Sequence, residues 1–241
     1  MSFIDIHCHI LPGIDDGPKD MHESVAMAKM AIDDNITHVF ATPHILEGLY
    51  RNGTTVIREK YEELRSSLPD GVKLLYGADV RICHDLIKRI ENDGIPTLSG
   101  SGYLLLEFPS LALPPRIEEI IFSLREHRII PIITHPERHA LLVRRLALLS
   151  RLRECGALTQ ITAQSITGEF GREIRNASFS MLRMGLVDFV ASDAHDVRMR
   201  PPQLSPAYRE VVSFFGEETA LRIFVRNQEK ILEAVYSCNE R

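Results

Sequence analysis

Phe3-Ile4-Asp5-Ile6-His7-Cys8-His9 opens the chain as a short alternating run that ends in two histidines one residue apart. In a strand, residues i and i+2 point to the same side. His7 and His9 therefore present two imidazoles to one point, and neutral imidazole is a common ligand for divalent metal ions. Alone, the pair is weak evidence, and the plainer reading is two polar residues at a strand end. The pattern recurs, however. Asp193-Ala194-His195 again sets two metal-binding side chains two residues apart, after the apolar stretch Leu186 to Ala191. Between the pairs lie His44, Asp79, Glu107 and His135, each just after a strand-like run.

Working outward, strand-like and helix-like segments alternate along the whole chain. Strands are predicted at Phe3–His7, Thr37–Ala41, Lys73–Ala78, Tyr103–Glu107, Ile129–Thr134, Thr159–Thr162 and Val187–Ala191. Asp20 followed by Glu23 is a capping-box pattern that opens a helix from about Met21 to Asp34. Further helices are expected over Thr54–Leu68, from Pro114-Pro115 through Glu126, over Leu141–Arg153 and Glu173–Met184, and in the tail after Pro206. Gly156 and Gly185 stand where C-terminal caps belong. Such alternation gives a parallel α/β fold. The candidate ligands all sit at strand C-terminal ends, which converge on one face in a closed barrel. An open sheet could hardly bring six strand ends to one point. The expected fold is therefore a distorted TIM-like (β/α)7 barrel, a single domain over residues 1–241.

Composition narrows the function. At 241 residues, 44% hydrophobic and 25% charged, the chain reads as an ordinary globular protein. A formal net charge of −5 favours neither nucleic acid nor an anionic membrane. No apolar run is long enough to span a bilayer, and the N-terminus lacks the basic and apolar regions of a secretory signal. Cys8, Cys83, Cys155 and Cys238 are scattered without CxxC pairs, which suits a reducing cytoplasm rather than a disulfide framework. Cytoplasmic location with no direct membrane insertion is the expectation.

Nine residues are candidate metal ligands: His7, His9, Asp16, His44, Asp79, Glu107, His135, Asp193 and His195. One divalent ion takes about four to six ligands, so nine candidates suggest two or three ions. Imidazole and carboxylate without thiolate favour manganese, iron or zinc. Cys8 faces away from its neighbours and reads as a packed thiol. With three such ions against four carboxylates, about two positive charges remain, which a phosphate monoester dianion would neutralise. Arg138 follows His135 within His-Pro-Glu-Arg, and Arg198 and Arg200 follow Asp193 and His195. Planar guanidinium binds phosphate bidentately, whereas a random surface arginine is merely a solvated charge. Three beside ligand motifs are less ordinary.

At these residues the chain resembles the polymerase and histidinol phosphatase (PHP) superfamily. Within it, the chain is similar to the CpsB/CapC-type manganese-dependent protein-tyrosine phosphatases of capsule and exopolysaccharide loci. The matching blocks are Asp5-Ile-His-Cys-His-Ile-Leu-Pro-Gly-Ile-Asp-Asp-Gly-Pro18, Ala41-Thr-Pro-His44, Leu106-Glu-Phe-Pro109, Thr134-His-Pro-Glu-Arg138 and Ala191-Ser-Asp-Ala-His195. The similarity runs from Phe3 to about Leu232. It implies a trinuclear Mn²⁺ site, with Fe or Zn as alternatives. One ion would lie on His7, His9, Glu107 and Asp193, a second on Asp79, Glu107 and His135, and a third on Asp16, His44 and His195. Arg138 and Arg200 would bind the phosphoryl group, with Glu107 and His135 in the catalytic set. A metal-activated hydroxide would attack phosphorus in line. The implied substrate is a phosphotyrosine protein, the C-terminal tail of a bacterial tyrosine kinase.

Two positions depart from the family pattern. Gly77-Ala78-Asp79 replaces the usual Gly-x-Glu, and Asp loses about 1.5 Å of reach. Asn227-Gln228 stands where such proteins often have Asn-Pro, with an effect expected only on a helix start. Cys83-x5-Arg89 has the spacing of cysteine-dependent tyrosine phosphatases, but Leu86-Ile87-Lys88 reads as helix, not as the Gly-rich loop that chemistry needs. His22, His38, His84 and His127 fall outside strand ends, and His139 reads as a surface residue. Rival readings are a histidinol-phosphatase-like phosphoesterase on the same ions, an amidohydrolase, and a weakly active docking protein for a phosphorylated kinase tail. The amidohydrolase would use a strand-end bridging lysine, which is missing here.

Overall fold

Hydrogen bonding divides the strands of the computed structural model, which describes residues 1–92 and 94–239, into two sheets that share one ring. β1 (Phe3–Cys8) is followed by α1 (Met21–Asp33), β2 (Ile36–Ala41), β3 (His44–Leu46) and β4 (Tyr50–Arg51). Next come α2 (Thr54–Arg65), β5 (Lys73–Tyr76), β6 (Asp79–Arg81) and α3 (Leu86–Glu91). β7 (Tyr103–Glu107), α4 (Ile117–Glu126), β8 (Ile130–Thr134), α5 (Leu146–Glu154) and β9 (Leu158–Thr162) then alternate. α6 (Ala163–Thr167) and α7 (Arg172–Arg183) lead to β10 (Phe189–Ala191). α8 (Ser205–Phe215), α9 (Glu217–Leu221) and α10 (Asn227–Asn239) complete the described chain.

The sheets run β1-β2-β5 and β10-β9-β8-β7-β6-β3-β4, parallel throughout except for the β3–β4 hairpin. β2 and β3 are one interrupted stave, and so are β5 and β6. Pro43 lacks the N–H that would continue the first ladder. Bonds nevertheless cross the break: Gly77 N–H donates to the Ala41 carbonyl at 2.9 Å and Asp79 N–H to the Pro43 carbonyl at 3.1 Å. Where β5 and β7 part, Ser99 fills the gap, its hydroxyl bonded to both the N–H and the carbonyl of Tyr76 at 3.0 Å. The ring closes between β10 and β1. Asp193 N–H donates to the His7 carbonyl and His9 N–H to the Ala194 carbonyl, both at 2.8 Å. Ser192 N–H donates to the buried Asp5 carboxylate at 3.0 Å. Seven staves result: β1, β2/β3, β5/β6, β7, β8, β9 and β10.

Alternate strand residues face inward. Ile4, Ile6, Phe40, Leu105, Ile132, Phe189 and Ala191 form one cluster with Ile231, Leu232 and Val235 of α10, which closes one end of the ring. Val39, Leu104, Leu106, Ile133 and Val190 face the surrounding helices in the larger cluster. Each such side chain contributes roughly 1.5–3 kcal/mol on burial.

The expected boundaries shift where tertiary structure intervenes. α2 stops at Arg65 instead of Leu68, as Ser66 and Ser67 turn back onto its last carbonyls ahead of Pro69. α4 starts at Ile117, after Arg116 takes a left-handed φ of 56°. α5 starts at Leu146 instead of Leu141, because the preceding residues form turns beside the site. β5 ends at Tyr76, and α6 has no counterpart in the sequence reading. The Asp20 cap forms, with Glu23 N–H donating to its carboxylate at 2.9 Å. Glu23 returns to the Lys19 N–H at 3.1 Å. Gly156 and Gly185 take the left-handed cap positions, at φ 101° and 66°.

Where β10 begins, away from the ligand-bearing strand ends, the buried Asp188 carboxylate accepts from Arg153 Nη2 (2.7 Å) and Nε (3.1 Å), and from Thr159 N–H (3.0 Å) and hydroxyl (3.2 Å). It ties α5, β9 and β10 together far from the ligand motifs. Asp188→Ala leaves both Arg153 donors and the Thr159 N–H without this acceptor, while the Thr159 hydroxyl keeps the Leu186 carbonyl. The expected cost is about 3 kcal/mol, or a Tm lowered by roughly 6–12 °C, with metal binding intact. Thermal unfolding beside a metal titration checks this, and an unchanged Tm refutes it.

Candidate metal centre

The β1–β2 register shifts between Asp5 and Cys8. Ile4 and Ile6 face the ring interior, so strict alternation would send Cys8 inward and His7 out. The shift reverses the faces, since a one-residue slip flips every following side chain. Cys8 joins the outer core as the expected packed thiol, and His7 and His9 turn to the mouth, fully buried.

All nine candidate ligands come together there. His7 Nε2 and His9 Nε2 are 3.1 Å apart, and each is 3.5 Å from Asp193 Oδ1. Asp79 Oδ2 lies 3.3 Å from His44 Nδ1, 3.7 Å from His7 Nε2 and 4.0 Å from His135 Nε2. Glu107 reaches His135 Nε2 at 3.8 Å and His44 Nδ1 at 3.9 Å. Asp16 Oδ1 lies 3.4 Å from His195 Nε2 and 3.6 Å from His44 Nε2. Three groups are tight enough to hold an ion: His9, Asp16, His44 and His195; His7, His9 and Asp79; and His44, Asp79 and Glu107. Asp79, rather than Glu107, is the carboxylate grouped with His7 and His9. His44 stands between groups, one ring nitrogen toward Asp79 and the other toward Asp16. The shorter Asp79 side chain makes its reach because its strand position pairs directly with His44.

The site fits divalent cations. Asp79 Oδ2, His44 Nδ1 and His195 Nε2 are buried without hydrogen-bond partners. Buried polar atoms are rarely left so. Outer contacts fix three rings so that Nε2 faces the cluster. Gln160 Oε1 holds His7 Nδ1 at 2.8 Å, Asp15 holds His9 Nδ1 at 2.7 Å, and the Asp193 carbonyl holds His195 Nδ1 at 2.9 Å. Burial drives His7 down to about 4 and His135 well below its ordinary value, leaving neutral, ligating imidazoles. Burial alone would raise the Asp193 carboxyl, but the Arg138 guanidinium above all, with that of Arg200, holds it well below the carboxylate range. Burial and neighbouring Asp79 push Glu107 up, against the Arg81 guanidinium bonded to it at 2.8 Å.

His135 and Asp193 take left-handed backbone, φ 34° and 52°. Strained non-glycine positions of this kind cluster at functional sites. Asp193 Oδ2 bonds both predicted guanidiniums, Arg138 and, at 2.6 Å, Arg200. The Nε of each is buried and unpartnered. The Phe170 ring lies 5.3 Å from the Arg138 guanidinium carbon and 5.9 Å from that of Arg200. A cavity of about 210 Å³ opens beside them, lined by Phe108, Leu142, His44, Glu107, His135 and His139.

Several of these residues were not legible beforehand. Asp15 in Asp-Asp-Gly-Pro is the buried holder of His9, while Asp16 is the half-exposed cluster member. Gln160, Arg81 and Phe170 carried no motif. Glu137 is buried and accepts from Thr162 N–H (2.9 Å) and the Ser165 hydroxyl (2.6 Å), bracing the His135 turn. The surface reading of His139 is corrected: it is 6% exposed and bonded to the Pro109 carbonyl at 2.8 Å.

Gly17 has a steric reason. A Cβ there would stand 2.3 Å from the His9 carbonyl oxygen. Gly17→Ala is therefore expected to displace the Asp15–Asp16 loop and weaken divalent-ion binding about 10–100-fold, read by calorimetric titration. Unchanged affinity refutes it. Cys83 sits ahead of α3, with Arg89 Nη1 3.8 Å from its sulfur. Burial raises this thiol, and the segment is a helix, not a phosphate-binding loop. Cys83→Ser is expected to keep aryl-phosphate hydrolysis within about twofold. Loss of turnover would reinstate a cysteine mechanism.

Comparison with known proteins agrees with this geometry. The profile of the capsular polysaccharide synthesis CpsB/CapC family matches residues 3–233. CapC of Staphylococcus aureus is 38% identical over 234 residues, 95% of this chain and 91% of its own. The tyrosine-protein phosphatase YwqE of Bacillus subtilis is 36% identical over 218 residues, 89% of this chain and 86% of its own. A crystal structure from work on YwqE and on CpsB of Streptococcus pneumoniae, described as metal-dependent tyrosine phosphatases, superposes with a TM-score of 0.91. It does so at 33% identity, over 97% of this chain and 94% of that one. A β-aspartyl dipeptidase of Fervidobacterium islandicum shares the fold alone, at TM-score 0.56 and 16% identity over 95% of this chain and 74% of that one. The chain belongs to the CpsB/CapC family of capsular polysaccharide synthesis.

Proposed function

We propose that this chain, one domain over residues 1–241, is a metal-dependent protein-tyrosine phosphatase. The observation that carries the reading is the convergence of nine nitrogen and oxygen ligands with two arginines whose buried Nε–H groups have no acceptor. His7, His9, Asp16, His44, Asp79, Glu107, His135, Asp193 and His195 would hold up to three divalent ions, Mn²⁺ in our reading. Such ions, when bound, polarise phosphoryl oxygens and lower the pKa of water toward neutrality.

Arg138 and Arg200 bind the phosphoryl oxygens through their free N–H donors, at guanidinium planes held by Asp193 and Phe170. Glu107 and His135 line the same cavity, where they would hold metal beside the phosphoryl group. Phe108 and Leu142 give the aryl ring an apolar wall. A tyrosyl oxygen leaves with a pKa of about 10, so it needs less help from a proton donor than an alkoxide does. The family and the names of the relatives support a phosphotyrosine protein as substrate. We infer a bacterial tyrosine kinase phosphorylated in its C-terminal tail, met in the cytoplasm during capsule or exopolysaccharide synthesis. Among the described residues, no helix is long and apolar enough to cross a membrane.

Phosphate release from a phosphotyrosine peptide, a phosphoserine peptide and histidinol phosphate tests the assignment. Phosphotyrosine is expected to exceed the other two by about 100-fold in kcat/KM. Preference for histidinol phosphate would make the protein a small-molecule phosphoesterase. Peptide binding without turnover would make it a docking protein.

A further inference from the structure

Beside the phosphate pocket lies a second concavity, a groove of about 630 Å³. Phe170, Met199, Pro201 and Pro206 give it apolar walls, with Gln164, Glu169 and Arg198 among its polar ones. Arg200 lines both the groove and the phosphate pocket. The Phe170 ring, which lies against both guanidiniums, is also a groove wall. The two spaces thus adjoin at Arg200. Met199 is 77% exposed at the groove. Its carbonyl is fixed by Gln164 Nε2 at 2.8 Å, while Gln164 Oε1 is a buried acceptor without a partner. Glu169 stands at the rim near Thr167, and among the described residues Arg198 makes no ion pair there.

We propose that this groove is the subsite for the substrate segment next to the phosphotyrosine, and that it takes an apolar side chain. The proposal rests on the phosphatase reading above and adds to it a sequence preference. The shared Arg200 points to the occupant. A phosphate seated against Arg200 places the adjoining peptide residues directly over the groove. The apolar part of the lining fits a leucine-sized side chain. A phosphate ester lacking a peptide would leave the groove empty.

The test uses metal-loaded wild-type protein and Met199→Asp. This exposed change leaves the core and the phosphate pocket untouched. Substrates are phenyl phosphate and two phosphotyrosine peptides that differ only in leucine or glycine beside the phosphotyrosine. Wild type is expected to favour the leucine peptide about tenfold in kcat/KM. Met199→Asp is expected to abolish that preference and keep phenyl phosphate within about twofold. Equal use of both peptides by wild type overturns the groove, as does an equal fall of all three substrates in the variant. Fluorescence polarisation with the same peptides separates the two readings. Leucine-dependent binding without turnover overturns the phosphatase assignment and upholds the groove. Binding indifferent to leucine overturns the groove, whatever the turnover.

Discussion

Removing divalent cations with a chelator is expected to lower phosphate release from a phosphotyrosine peptide by about three orders of magnitude, and adding Mn²⁺ is expected to restore it. The reason lies in how little else the pocket offers. Asp79, Glu107, Asp193 and Asp16 put four carboxylates where a doubly charged phosphate must sit. Without cations, those charges repel the substrate, and the Asp193 carboxylate offsets part of the positive charge of Arg138 and Arg200. His135→Ala is expected to lose about 10²–10³-fold in the same assay with circular dichroism unchanged. Its imidazole is kept neutral by burial and aims Nε2 at Asp79 and Glu107. Full activity after exhaustive chelation would sink the metal reading. Full activity of His135→Ala in the presence of Mn²⁺ would remove this residue from the site.

Asp193→Asn is expected to be about as damaging, near 10³-fold in kcat/KM, with lower metal content and an intact fold. One carboxylate does two jobs here. Oδ1 faces His7 and His9, each at 3.5 Å, and Oδ2 gathers Arg138 and Arg200. The amide removes the charge that keeps two guanidiniums side by side and the anionic donor beside the histidine pair. The backbone need not move, because asparagine tolerates the left-handed φ of 52° better than almost any other non-glycine residue. A lost fold would therefore speak against this account. Atomic absorption, circular dichroism and steady-state kinetics on one preparation separate loss of metal, loss of fold and loss of phosphate binding.

Much of this was legible in the linear chain. An alternating run ending at His7 and His9, and an apolar stretch leading to Asp193 and His195, located the strand ends. A ring of parallel strands was the arrangement that brings six such ends together. The capping pattern at Asp20 and the cap glycines at 156 and 185 formed as read. Breaks within staves were not legible, because Thr42-Pro43 and Gly77-Ala78 divide strands whose halves bond to different neighbours. Asp16 was read as a ligand, but the role of Asp15 was not legible: only packing buries that carboxylate against His9 and leaves Asp16 at the mouth.

The sequence by itself determined the parallel α/β alternation, the strand ends that carry ligands and the absence of thiolate among them. These follow from side-chain chemistry and from a backbone period that neighbouring residues set. The tertiary structure alone decided the register shift in β1, the grouping of Asp79 with His7 and His9, the hold of Gln160 on His7 across 153 residues, and the Phe170 ring against two guanidiniums. Each depends on closing the ring. Closure joins β1 to β10 and brings side chains from opposite ends of the chain within hydrogen-bond reach. No local period encodes such a contact; it is fixed by how buried surfaces and backbone donors are satisfied together.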